Sequence, residues 1–325
     1  MTALRARGRP AASPSKLVDA VGRRVTYLRV SVTDRCNQRC TYCMPPEGIE
    51  HVSHAEILSF EETEAIVREF AALGVDTVRV TGGEPLVRKD VVSLFAGLAA
   101  VETATRDRLT VALSTNAERL SDHADALVQA GVRRFNVSLD SLDPARYRRV
   151  TRRGDLDRVR AGIAAVAGRT GVVVKTNTVA ISGFNDDELH RIARFAWGLG
   201  AIPRFIETMP MHAGRLFVPG RLMAAAEIRE RIAADLGARV VPTDAKDVPG
   251  SGPARYFDVV GGRGRVLGRI GIISPMTENF CAACNRVRLD SRGRLHGCLA
   301  ADRTVDLRTA LRRGGSAGLR AAIAE

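Results

Sequence analysis

From Thr26 onward the chain alternates short runs of β-branched residues with longer stretches whose apolar positions recur every three to four residues. A period near two marks a strand and a period near 3.6 marks a helix with one apolar stripe. The pattern predicts strands at 27–32, 77–80, 109–114, 134–138, 172–178 and 203–207, and helices at 60–73, 91–100, 118–130, 156–167 and 186–199. Strands alternating with helices in this way argue for repeated βα units around a parallel sheet. The expected fold class is therefore α/β, a partial (β/α)6 TIM-like barrel spanning 24–215. After about residue 215 the rhythm changes to a helical stretch at 223–236 and extended runs around Val240, Tyr256 and 268–273. This reads as a C-terminal α+β extension, 216–325, closing the open side of the barrel. Residues 1–23 carry Arg5, Arg7, Arg9, Pro10 and Pro14 with no acid before Asp19, the composition of a disordered basic N-terminus.

In such a barrel the loops after the strand C-termini build the site. Chemistry-bearing residues fall there repeatedly. A cysteine loop follows the first strand, Gly82-Gly83-Glu84-Pro85 the second, Thr115-Asn116 the third and Ser138-Leu139-Asp140 the fourth, while Lys175 lies in the fifth and Met209 follows the sixth.

All six cysteines form two groups of three, Cys36, Cys40 and Cys43, and Cys281, Cys284 and Cys298, with a long cysteine-free stretch between. Such grouping points to metal binding in a reducing compartment rather than to disulfides. Three thiolates leave one iron of a four-iron cluster open to bind something else. A zinc site competes with that reading, since zinc takes four ligands in a closed tetrahedron. His51 could complete such a site at the first group and His296 at the second, and for the second group spacing alone does not choose. Between the later cysteines, Arg286 and Arg288 are spaced to project together from a strand, and guanidinium forks suit phosphates and purine edges.

Composition changes the picture little. The 45% apolar content is ordinary for a globular enzyme of 325 residues. No apolar run approaches the roughly 20 residues of a membrane span, so a soluble cytoplasmic protein without a membrane partner is expected. The net charge of +13 invites a nucleic-acid reading. Arginine is spread along the chain without an aromatic-rich basic stripe, which favours a polyphosphate small molecule and no nucleic acid.

The spacing Cys36-x3-Cys40-x2-Cys43 resembles that of radical S-adenosylmethionine (SAM) enzymes. Leu28-Arg29-Val30-Ser31-Val32-Thr33-Asp34-Arg35-Cys36, Thr81-Gly82-Gly83-Glu84-Pro85-Leu86, Asn136-Val137-Ser138-Leu139-Asp140, Gly183-Phe184-Asn185-Asp186-Asp187-Glu188, Arg204-Phe205-Ile206-Glu207 and Cys281-x2-Cys284-x13-Cys298 together resemble the GTP 3′,8-cyclase family of molybdenum-cofactor biosynthesis. The likeness runs from about Arg24 to Leu307, and its specific part is the double cysteine group with Asn285-Arg286-Val287-Arg288 inside it.

The resemblance implies two [4Fe-4S] clusters, one on Cys36, Cys40 and Cys43 with SAM, the other on Cys281, Cys284 and Cys298 contacting guanine. It implies that Tyr42, Gly83, Ser138 and Met209 line SAM, and that Arg29, Arg79, Thr115, Lys175, Arg204, Arg286, Val287 and Arg288 bind GTP. A 5′-deoxyadenosyl radical would abstract the ribose 3′ hydrogen, and the carbon radical would attack purine C8. Implied partners are a reductant of the flavodoxin or ferredoxin kind, a downstream cyclic pyranopterin monophosphate synthase and a second copy in a homodimer.

The family pattern is departed from in places. Thr77 stands where a phosphate-binding lysine is common, and Ala117 stands where a Thr-Asn-Gly turn has glycine. Family members continue to a Gly-Gly tail that reaches into the active site, whereas here the chain stops at Glu325 and Gly314-Gly315 reads better as a helix C-cap than as that tail. Two rivals follow: a two-cluster paralogue acting on another nucleotide or other substrate, and a non-catalytic iron–sulfur or nucleic-acid-binding module.

Overall fold

The computed structural model describes residues 17–209, 222–243, 248, 252–299 and 301–325. The start of the expected disordered N-terminus, through residue 16, and the expected boundary near 215 lie outside the described residues.

Six parallel strands follow one another in sequence order: β1 (Tyr27–Ser31), β2 (Thr77–Thr81), β3 (Thr110–Thr115), β4 (Arg134–Ser138), β5 (Val173–Ala180) and β6 (Ile202–Glu207). Alternation sends Leu28, Val30, Val78, Val80, Val111, Leu113, Phe135 and Val137 to the outer face, where they form one apolar core. The helices covering them are α1 (Phe60–Ala72), α2 (Val91–Ala99), α3 (Leu120–Gln129), α5 (Leu156–Val166) and α6 (Leu189–Gly198). Burying that face drives the fold at about 25 cal/mol per Å² of apolar surface. The same alternation leaves Arg29, Arg79, Ser114, Asn136, Lys175 and Arg204 on the inner face, so the barrel encloses polar space instead of a packed core.

The predicted strands and helices are all present, with shifts at functional turns. α3 starts at Leu120 because Ala117 adopts φ 65° and Glu118 turns inward. α6 starts at Leu189 because Asn185 and Glu188 serve neighbouring loops: the Asn185 amide donates to Asp140 O (2.8 Å) and Val179 O (2.9 Å), and Glu188 accepts from Leu142 N (3.0 Å). Helix α4 (Pro144–Thr151) has no counterpart among the predicted elements. Its residues are mostly polar and only Tyr147, Val150 and Thr151 are buried, so periodicity is weak; the local signal is Asp143 capping Arg146 N at 2.8 Å with Pro144 next.

The C-terminal part does not pack as a separate layer. After α7 (Ala225–Leu236), β7 (Arg239–Pro242), β8 (Arg255–Val260) and β9 (Val266–Ile273) extend the β6 edge, with β9 parallel to β6. Strands β10 (Arg286–Leu289), β11 (Arg294–His296) and β12 (Thr304–Asp306) extend the β1 edge, with β10 parallel to β1. Residues 274–285 must therefore cross the open side, from the C-terminal end of β6 to the N-terminal end of β1. Helix α8 (Leu307–Ile323) packs on α1 through Arg312–Glu62 (2.6 Å) and Arg320–Glu69 (2.5 Å). The Gly314-Gly315 pair does break this helix, with Gly315 at φ 54° and ψ −148°, but helix resumes to Ile323. Among the described residues no helix is long and apolar enough to cross a membrane.

Candidate active site

The first cysteine loop is gripped from several sides. Glu118, buried, accepts from Asn37 Nδ2, from Gln38 Nε2 (3.1 Å) and from Asp155 N (2.6 Å). Asn116 Nδ2 donates to Asn37 Oδ1 at 2.8 Å. From α4, Thr151 O accepts Arg39 N (3.0 Å) and Val150 O accepts Thr41 N (2.9 Å), while Arg152 Nη1 donates to Arg39 O and Met44 O, both at 2.9 Å. The glycines of Gly82-Gly83 belong to the same clamp. A Cβ on Gly82 would lie 2.8 Å from Thr33 O, and one on Gly83 would overlap the Arg35 carbonyl. Gly83 N and Glu84 N donate to Thr33 O and Arg35 O, both at 2.8 Å. Only glycine permits so close a backbone approach.

Burial pushes the Cys36 thiol up to about 11. Cys40 donates to Cys43, so Cys40 rises and Cys43 is held below its ordinary value, with Arg152 assisting. Tyr42 donates to Asp140 Oδ2 at 2.6 Å, and Val179 N donates to Asp140 Oδ1 at 2.8 Å. Burial raises Asp140 to about 6 against those bonds. Glu84 is raised to about 7 by burial although Asn116 N (2.6 Å), Leu86 N (3.0 Å) and the Thr115 hydroxyl (2.8 Å) all donate to it. Thr115 thus spends its hydroxyl on the Gly-Gly-Glu-Pro turn. Ser138 ends β4, half-buried opposite Asn177, and Met209 lies half-buried just beyond β6.

The remaining expected residues meet inside the barrel. Register aligns Arg288, Arg29 and Arg79 in one row across β10, β1 and β2. Asn136 pairs with Lys175, and Asn177 with Arg204. No carboxylate among the described residues forms an ion pair with Arg29, Arg79, Arg204, Arg286 or Arg288. Buried Arg29 Nε and Arg204 Nη2 have no hydrogen-bond partner among the described residues. Burial and then the facing arginines lower Arg29 to about 9, and burial followed by Arg204, Arg79 and Arg134 lowers Lys175 to about 7. A cluster of cations without counter-charge is costly unless an anion joins it. Val287 points the other way, into the core beside β1.

Residues that sequence reasoning left without a role complete this wall. Tyr256 accepts from Lys175 Nζ at 2.8 Å, its ring 5.0 Å from that ammonium, and Tyr27 accepts from Arg79 Nε. Gly271, paired with both Arg204 and Tyr256, makes room for them: a Cβ there would lie 2.8 Å from Arg204 Cγ and 3.0 Å from Tyr256 Cε1. Their only signal was an inward strand position, unreadable before the sheet order was known.

The second cysteine loop lies at the opposite end of the barrel from the first. Arg23 Nη1 donates to Cys281 O (2.7 Å), and Thr26 N and Tyr27 N to Asn285 O (3.1 and 3.2 Å), fixing the loop at the start of β1, whereas Cys36 follows its end. The five residues of β1 separate the two levels, roughly 16 Å at 3.3 Å per residue. Burial disfavours the Cys284 thiolate, but the Arg286 N–H and guanidinium, the latter 3.6 Å from its sulfur, outweigh that and hold the thiol below its usual range.

Of the two histidines proposed for zinc, His51 Nδ1 faces Asp34 at 3.4 Å and His296 Nε2 faces Asp290 at 3.2 Å. Among the described residues no three His, Cys, Asp or Glu side chains gather closely enough to share one ion. Soft thiols in threes, one of each set held toward its thiolate, fit multi-iron clusters whose irons sit at separate corners.

A parallel partial barrel with this cysteine loop after β1 and a glycine clamp after β2 defines a radical SAM enzyme, and the Radical SAM superfamily model matches residues 30–196. That family implies a [4Fe-4S] cluster and SAM at the first loop. The fold is shared with Streptococcus suis SuiB bound to S-adenosylmethionine, with TM-score 0.59 at 13% identity over 86% of this chain and 62% of that one. A second model, Molybdenum Cofactor Synthesis C, matches residues 202–325. The chain is 46% identical over 302 residues to the GTP 3′,8-cyclase of Rhizobium etli (strain CIAT 652), covering 93% of this chain and 83% of that protein. It is 46% identical over 311 residues to the GTP 3′,8-cyclase of Agrobacterium fabrum, covering 95% and 85%, and 41% identical over 300 residues to that of Syntrophomonas wolfei, covering 92% and 88%. The chain belongs to the GTP 3′,8-cyclase family.

Proposed function

We propose that this protein converts GTP to (8S)-3′,8-cyclo-7,8-dihydroguanosine 5′-triphosphate in molybdenum-cofactor biosynthesis. The observation that carries the reading is the set of inward-facing cations, Arg29, Arg79, Lys175, Arg204 and Arg288, lying between two thiol triplets at opposite ends of one barrel. Cys36, Cys40 and Cys43 would hold the first cluster, with Tyr42, Gly83, Ser138 and Met209 around SAM, and Cys281, Cys284 and Cys298 the second. Bound there, the first cluster and SAM supply one-electron chemistry that no side chain can provide.

The chain's own residues do the positioning. Arg29, Arg79, Lys175, Arg204 and Arg288 bind the triphosphate through charge-assisted hydrogen bonds. Arg286, its guanidinium 5.1 Å from the Phe280 ring and touching Cys284, holds the purine end. The charge row then fixes the ribose between the two ends, and such orientation is worth orders of magnitude in rate. Thr115 acts through Glu84, and Val287 by setting the register of its two arginines. Electrons come from a flavodoxin- or ferredoxin-type donor, and a cyclic pyranopterin monophosphate synthase uses the product.

The test is anaerobic reconstitution with SAM, reductant and GTP. One hydrogen leaves ribose C3′ and one electron and one proton return, so the product is an isomer of GTP and must be identified by chromatography and fragmentation. One 5′-deoxyadenosine per product is expected. GTP recovered unchanged while SAM is cleaved would sink the assignment and favour the paralogue.

A further inference from the structure

We infer that Arg134 is a further phosphate-binding residue, taking the distal phosphate of the nucleotide at the lower mouth of the barrel; this rests on the functional reading above. Strand register is what points to it. Arg288 pairs with Arg29, Arg29 with Arg79, Arg79 with Ala112 and Ala112 with Arg134, so one row crosses five strands with an arginine at every place but one. The exception, Ala112, carries only a methyl, and Arg79 Nη1 reaches onto the same strand to donate to Leu113 O at 3.0 Å.

Arg134 lies on the inner face by parity with Asn136, whose strand partner is Lys175, and its charge is felt at Lys175. It is half-buried, with no ion pair or side-chain hydrogen bond among the described residues. It also lines a cavity of about 460 Å³ at the N-terminal ends of β3 to β5, together with Arg108, Arg133, Thr110 and the backbone of Gly131 and Gly171. No acidic side chain lines that cavity. Arg108 and Arg133 each give one nitrogen to a backbone carbonyl, Ala100 O (2.6 Å) and Val128 O (2.5 Å), which fixes them as walls. At the base of β2, Thr77 brings no cation and donates its hydroxyl to Asp76 at 2.8 Å. A chain of phosphates lying along the row from Arg288 and Arg79 thus meets its next cation on β4. A fork with unused donors beside a cavity that no acidic side chain lines suits a terminal phosphate, which carries the highest charge of the chain.

The experiment compares reconstituted wild type, Arg134→Gln and Arg134→Lys by calorimetric binding of GTP, GDP, GMP and inorganic tripolyphosphate. Arg134→Gln should weaken GTP and tripolyphosphate about tenfold or more, leave GMP within about twofold and shrink the GTP-over-GDP preference, while Arg134→Lys restores part of it. Equal weakening of GTP and GMP, or an unchanged GTP-over-GDP ratio, would overturn the inference. If Arg134→Gln unfolds, protection of Arg134 in the wild type from phenylglyoxal by tripolyphosphate, read by mass spectrometry, takes its place, and absence of protection overturns it. Wild type that binds tripolyphosphate in an Arg134-dependent way but not GTP would sink the nucleotide reading and leave the anion site standing.

Discussion

The two cysteine loops solve one problem, presenting three thiols, by different means. The first is held by side chains, carbonyls and glycines from three βα turns, and every hold is internal to the barrel: Glu118, Asn116, the carbonyls of α4 and the Gly82-Gly83 clamp. The second bridges two sheet edges. Residues 276–277 are tied to buried Glu207 at the end of β6, where Met276 N (2.9 Å) and Thr277 N (3.1 Å) donate to it, and the loop then reaches Arg23 and Thr26 below β1. Two thiols of the second set, Cys281 and Cys298, are exposed and only Cys284 is half-buried, whereas in the first set Cys36 and Cys40 are half-buried and only Cys43 is exposed. The first loop is thus gripped from within the barrel, whereas the second is assembled only when the sheet's two edges are joined.

Removing thiols puts this contrast to its most severe test. Cys36→Ala should abolish SAM cleavage, whereas Cys281→Ala should leave cleavage partly intact and eliminate cyclisation, both read as 5′-deoxyadenosine and product from the same reaction. Equal loss of cleavage in the two variants would mean that the ends do not divide the labour.

Stability separates the loops next. Glu118→Ala strips an acceptor from three donors and should cost about 1–3 kcal/mol, because buried donors left unpaired lose their full hydrogen bonds. Arg23→Ala, at a partly exposed pair with Asp19 (2.6 Å), should cost no more than about 1 kcal/mol. Chemical denaturation of the cluster-free protein measures both, and matching losses would erase the distinction.

Between the loops, Lys175 gives opposite pH trends for folding and binding. Its folded value of about 7 lies below the 10.5 of the unfolded chain. The unfolded chain therefore holds more protons between those values, and Lys175 makes stability rise with pH across that window. A polyphosphate needs the ammonium, so GTP affinity should fall roughly tenfold from pH 7 to 9 as the proton is lost. The Lys175→Arg variant keeps its charge throughout that range and should flatten the profile. A wild-type affinity independent of pH would show that Lys175 does not face the phosphates.

The smallest effect concerns Ala117, a non-glycine residue at φ 65° under the first loop. Relief of about 1–2 kcal/mol of left-handed strain outweighs the roughly 0.8 kcal/mol of one buried methyl. Ala117→Gly should thus stabilise the protein by under about 1 kcal/mol in thermal melts, and a clear loss would show that the methyl's packing dominates.

Much of this was legible in the chain before folding. Period-two runs bounded by turn residues located β1 to β6, and the cysteine spacing marked both loops, because strand faces and ligand sets are properties of neighbouring residues. Helix α4 escaped since its role is to offer carbonyls, which no side-chain pattern encodes. The placements of Tyr256, Gly271 and Arg134 escaped because each depends on which strand lies alongside. Local order along the chain was enough to put arginines on one strand face and valines on the other, and to group the cysteines into two sets of three. It took the assembled sheet to establish that β9 and β10 join opposite edges, that the second cysteine group lies below β1 while the first lies above it, and that arginines distant in sequence align in one row. Register is set by hydrogen bonds between strands far apart along the chain, and a local pattern carries no information about its partner.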